Sequence, residues 1–131
     1  MDINQVMREV HEIATEKGWW EEGKDNSFAT QIANFHGEIS EAWEEWRKGR
    51  GYTEVYYKHV DDGNECDDHS FHEVEGNETE LKPEGIPIEL ADEIIRILDT
   101  CANYGIDIEA AIKEKMAYNR SRPYRHGNKL A

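Results

Sequence analysis

Residues 87–104 constrain the fold more than any other stretch. Their apolar residues recur at helical spacing, and Pro87 suits a first helical turn. The helix predicted there ends near Tyr104-Gly105. On it Glu89, Asp92, Arg96 and Asp99 form one narrow charged stripe. Leu90, Ala91, Ile94, Ile95, Ile97 and Leu98 lie on both sides of that stripe. A helix this apolar is expected to be largely buried. Its carboxylates are then costly unless they meet a counter-charge.

Three further helices are predicted. The first opens at Asp2, an N-cap residue with Gln5 three positions on, and stops at Gly18. Ile3, Val6, Met7, Val10, Ile13 and Ala14 give it an apolar stripe. The second runs from about Ser27 to Lys48 before Gly49, with Ile32, Phe35, Ile39, Ala42, Trp43 and Trp46 on one stripe. The last starts at Asp107 and reaches about Arg120, with Pro123 blocking continuation. At 131 residues the chain fits one domain, 1–131. The expected fold is all-α, a bundle of four to five helices. Its core is small for so polar a chain and is of the kind a partner chain completes.

The net charge of −14 is concentrated, with −9 of it between residues 61 and 84. That stretch also holds Asp-Gly, Gly-Asn and Lys-Pro pairs, so 52–84 reads as an acidic insertion, either a loop or a short β-hairpin. The flanking runs 54–60 and 70–74 are rich in aromatic and β-branched residues, and a hairpin between them would turn near Asp62-Gly63. Within the insertion Cys66, His69 and His72 could bind zinc, but no second ligand pair accompanies them, and a solvated loop is the simpler reading. The run Asp61-Asp62-Gly63-Asn64-Glu65 lacks the ligand order of an EF-hand. The acidic balance argues against a nucleic-acid binder, which needs a basic footprint. No stretch is long and apolar enough to span a bilayer. The N-terminal residues lack the apolar core of a signal peptide, and the two cysteines require no disulfide. A cytoplasmic protein is expected.

The carboxylates carry the chemistry. Glu38 and Glu41 are three apart and share a helix face, which Gln31, Asn34 and Glu45 continue. Packed against the helix of Glu89 and Asp92, they would gather four carboxylates around one small space. Like charges that close repel, and a hard divalent cation such as Mg²⁺ or Mn²⁺ resolves the repulsion. The competing reading leaves Glu38, Glu41 and Glu45 in solvent and pairs Glu89 and Asp92 with Arg96 or lysines. Near the C-terminus Lys115 and Asn119 share a helical face and Arg122 follows the helix, a set able to grip phosphate oxygens. The alternative for these is a basic helix end that favours the macrodipole.

Glu38-Ile39-Ser40-Glu41-Ala42 followed by Glu89-Leu90-Ala91-Asp92 resembles the paired motifs of MazG-like, all-α nucleoside triphosphate pyrophosphohydrolases. The ending from Lys115 through Asn119 and Arg122 to Pro123-Tyr124-Arg125-His126-Gly127 resembles that family's closing motif. The match covers about 17–51 and 87–129. It implies a homodimer or homotetramer that hydrolyses a nucleoside triphosphate, on family grounds a purine such as dGTP, to the monophosphate and pyrophosphate. It implies Mg²⁺, replaceable by Mn²⁺, held by Glu38, Glu41, Glu89 and Asp92. Lys115, Asn119 and Arg122 would hold phosphates. Glu41 or Glu45 would position or deprotonate the water that attacks the α-phosphorus. Trp20, Gln31 and Asn34 would meet base or sugar, with ordinary packing the alternative for Trp20. Compact members join these helices by a shorter connection, so the insertion departs from the pattern. The rival functions are a non-catalytic acidic helical interaction protein and a nucleotide-binding regulator.

Overall fold

The computed structural model describes residues 2–23, 25–67 and 80–130. In order these form α1 (Ile3–Glu16), α2 (Phe28–Arg47), β1 (Tyr56–His59), β2 (Glu65–Cys66), β3 (Leu81–Glu84), α3 (Ile86–Tyr104), α4 (Ile108–Ser121) and a short α5 (Arg125–Asn128). They group into two compact units, residues 25–97 and residues 1–24 with 98–131.

The unit of residues 25–97 corrects the all-α expectation. Beside its helices it holds a three-stranded antiparallel sheet in the order β2-β1-β3, so the chain has mixed helix and strand content. β1 and β2 form a hairpin whose turn carries Asp62 and Gly63, with the Gly63 N–H donating to the His59 carbonyl at 2.8 Å. The run 70–74, His69 and His72 lie outside the described residues. β3 pairs with the other edge of β1, Tyr56 opposite Glu84 and His59 opposite Leu81. Pro83 is tolerated because β3 is an edge strand, where a missing N–H costs no ladder bond. Strands this short and charged carry no clear alternation, and pairing between residues 56 and 84 is invisible to local pattern.

The helices start and stop on local chemistry. The Ser27 hydroxyl accepts from the Thr30 N–H at 3.2 Å and caps α2. At its other end Gly49 has φ +86°, with the Gly49 N–H bonded to Trp46 and the Arg50 N–H to Glu45. That is a Schellman closure, which suits glycine because the left-handed conformation penalises a side chain.

Burial in this unit is inverted. On α2 the acids Glu38 and Glu45 are buried, whereas Ile39, Trp43 and Trp46 are about half exposed, at 49%, 53% and 54%. On α3 Glu89 is buried and Leu90, Ile94 and Ile95 are exposed. The expectation of a largely buried third helix therefore fails on this side: the carboxylate stripe faces inward and its apolar flanks face out. Among the described residues the fully buried large side chain is Tyr56, which comes from the sheet.

In the unit of residues 1–24 and 98–131, the Asp2 carboxylate caps α1 through the Gln5 N–H at 2.7 Å. Asp107 caps α4 through the Ala110 N–H at 3.1 Å. Leu98, Thr100 and Cys101 are buried there. Asn4 donates to Glu109 at 2.7 Å. Cys66 and Cys101 are free thiols. Among the described residues no helix is long and apolar enough to cross a membrane.

Gly85 joins β3 to α3 with φ +123°, and a Cβ there would strike the Glu54 carbonyl oxygen. The substitution Gly85→Ala should cost about 2–4 kcal/mol. Urea denaturation of the two proteins checks this.

Candidate metal centre

The site lies within the unit of residues 25–97. Helical spacing puts Glu38 and Glu45 on the inward face of α2 and Glu89 on that of α3, with Asp92 and Glu93 beside it. Glu38, Glu89 and Asp92 bring carboxylate oxygens within 4.8 Å of one another. Glu45, Glu84 and Glu89 do the same. Glu41 is exposed at the edge, beside Glu89 and Asp92. Glu93 completes a set of seven acids, its charge opposed by Glu38.

Among the described residues, two cations answer this set. The Arg96 guanidinium pairs with Glu38 at 2.6 Å. The Lys82 ammonium lies 3.4 Å from Glu84 and is held in its charged form mainly by that carboxylate. Five negative charges would remain if every carboxylate were ionised. The groups respond accordingly. Burial, reinforced by the adjoining Glu41 carboxyl with which a proton can be shared, pushes Glu89 up to about 8. Burial also raises Asp92, with Arg96 pulling the other way. Glu93 is raised chiefly by burial.

The donor set fits a hard divalent cation. It is all oxygen, and Glu89 Oε2 is buried without a hydrogen-bond partner. Such an orphaned carboxylate oxygen is costly unless a proton or a cation meets it.

Glu45 is set apart from Glu41 by its partner. The buried Tyr56 hydroxyl donates to both Glu45 oxygens, at 3.0 and 2.9 Å. Burial first, then the Glu45 charge, raises this phenol far above its ordinary range, so it stays a donor. The Arg50 guanidinium lies 3.7 Å from the Tyr56 ring centroid and is itself anchored by Glu54 and Glu65. The sheet thus holds Glu45 in place, while Glu41 stays open to solvent.

The other residues singled out by the sequence are placed as follows. Gln31 is half-buried and Asn34 exposed on α2, in the same unit as the acids. Lys115 and Asn119 lie on α4 and Arg122 caps it, in the other unit. There Lys115 and Arg122 both approach the Tyr118 ring, at 4.8 and 5.5 Å. Trp20 also belongs to that unit. Its indole N–H donates to both Asp99 oxygens, at 2.9 and 3.1 Å, and its ring meets His11 and Tyr104. His11 Nδ1 is 2.7 Å from the same Asp99. Trp20 is thus joined to Asp99, His11 and Tyr104 within that unit.

Sequence reasoning missed Glu84, Tyr56, Lys82 and Glu93 as parts of the site. Glu84 sits in a stretch whose charge reads as solvated, and its one local signal is the Gly85-Ile86-Pro87 start of a helix directly after it. No family model, no curated protein and no solved structure matches the chain. The resemblance to the MazG-like enzymes therefore rests on the spacing of these residues alone.

Between the ordinary carboxylate range near 4.5 and about pH 8, folded Glu89 keeps a proton that the unfolded chain has lost. The contribution of this group to stability is then full at low pH and is lost as pH rises through that window. Thermal melts in a chelator from pH 5 to 9 should show this decline, and Glu89→Gln should flatten it. Tyr56→Phe should cost about 1–3 kcal/mol in the same buffer, since Glu45 loses its buried donor.

Proposed function

We propose that the chain is a divalent-cation-dependent nucleoside triphosphate pyrophosphohydrolase that releases the monophosphate and pyrophosphate. The observation that carries this reading is the inward-facing set of carboxylates on α2 and α3, with too few cations to balance it. Glu38, Glu89 and Asp92, with Glu41 at the edge, would hold Mg²⁺ or Mn²⁺. Bound there, the cation supplies neutralisation of the triphosphate and a lowered pKa for attacking water.

The remaining roles belong to the chain. Glu41, exposed beside the cluster, orients the water and takes its proton. Glu45, whose two oxygens both accept from the Tyr56 hydroxyl, is the alternative base. Water attacks the α-phosphorus in line and pyrophosphate leaves. Lys115, Asn119 and Arg122, from this chain or a second copy, bind phosphate oxygens. Gln31 and Asn34 meet base or sugar, and a purine such as dGTP is the substrate favoured by the resemblance. The outward apolar stripe of Ile39, Trp43 and Trp46 supports a homodimer or homotetramer. The same stripe favours a second reading, a non-catalytic helical interaction protein.

A panel of canonical nucleotides with Mg²⁺, resolved by anion exchange, tests the reaction. Monophosphate plus pyrophosphate from one or two nucleotides is expected. Glu38→Gln and Asp92→Asn should each lower the rate about a hundredfold or more. Nucleoside diphosphate plus orthophosphate would overturn attack at the α-phosphorus, and no turnover with Mg²⁺ or Mn²⁺ would move the weight to the interaction protein.

A further inference from the structure

We propose that β3 completes a second divalent-cation site, formed by Glu45 on α2, Glu84 on β3 and Glu89 on α3, next to the first and sharing Glu89 with it. This rests on the cation-dependent reading above and extends it to the insertion.

Three observations support the site. One oxygen from each residue falls within 4.8 Å of the other two, and each of the three comes from a different element. All three are deeply buried, at 5%, 8% and 6% exposure, so water cannot easily solvate the charges. Glu89 Oε2 is buried and makes no hydrogen bond, in a side chain common to both oxygen sets. A carboxylate has two oxygens, and one that bridges two cations can offer one to each.

The chemistry selects the ligand. Three carboxylates with no nitrogen or sulfur donor suit Mg²⁺ or Mn²⁺ better than zinc. Two cations about 3.5–4 Å apart are a recurring arrangement for in-line displacement at phosphorus, where they clamp the attacking and leaving oxygens. The protein geometry is prepared on two sides. Tyr56 fixes Glu45 through both of its oxygens. Lys82 reaches Glu84 from the rim, where its side chain is 68% exposed, so it can give way when a cation arrives. Glu84 lies outside the paired motifs, and β3 carries it to the helices through the Gly85 joint.

Calorimetric titration of the full-length chain with MnCl₂ tests this, without substrate. Two Mn²⁺ per chain are expected for the wild type. Glu84→Gln should bind one, and its melt in a chelator should be no lower than the wild type's, since a buried charge has gone. Glu84→Asp, which keeps the charge on a shorter arm, should weaken only the second event, by about tenfold. One Mn²⁺ per wild-type chain would overturn the second site and leave the first standing. Two Mn²⁺ retained by Glu84→Gln would overturn the assignment to β3. No Mn²⁺ bound at all would overturn both sites and the cation-dependent function with them.

Discussion

Carboxylates buried within a few ångströms of one another cannot all stay ionised without a positive partner. In this chain α2 and α3 turn Glu38, Glu45 and Glu89 inward and Ile39, Trp43, Trp46, Ile94 and Ile95 outward. Hydrophobic burial alone would favour the opposite arrangement. The inward faces are therefore held by something other than apolar contact: by Arg96 on Glu38, by Tyr56 on Glu45, by Lys82 on Glu84, and by protons retained on Glu89. Each of these is a partial answer to the same repulsion. A divalent cation would answer it more completely, and it is also the group that the proposed phosphoryl chemistry would use.

The sheet gains its meaning from that constraint. Its strands are short, and as an isolated element it would be marginal. It contributes Tyr56 and Glu84 to the cluster and anchors Arg50 over the Tyr56 ring. The insertion is thus part of the wall of the site. Gly85 allows β3 to pass into α3 with almost no connecting chain, which brings Glu84 and Glu89 within reach of each other.

Much of the helical framework was legible in the sequence because helix ends are chemical events. Asp2, Ser27 and Asp107 cap three helices through their own side chains, and Gly49 closes one of them. That Glu38 and Glu41 share a face of one helix, and Glu89 and Asp92 a face of another, was legible from spacing, since three residues make nearly one turn. The fold class was not. Four-residue strands have no usable period, and Tyr56 meets Glu84 across twenty-eight positions. The direction of each helix face was also hidden, because an amphipathic period is the same whichever side turns inward. Glu84 and Glu93 were missed for a related reason: their charge looks solvated until burial is known. The different surroundings of Glu41 and Glu45 likewise depend on the Tyr56 hydroxyl, which no local pattern foretells.

The central claim is that the inward carboxylates of α2, α3 and β3 hold a hard divalent cation. Anomalous diffraction from crystals grown in MnCl₂ tests it most directly. The account predicts a manganese peak bounded by Glu38, Glu89 and Asp92, with Arg96 displaced from Glu38. A map in which the same carboxylates stay packed, Arg96 remains on Glu38 and no manganese lies among them would contradict it.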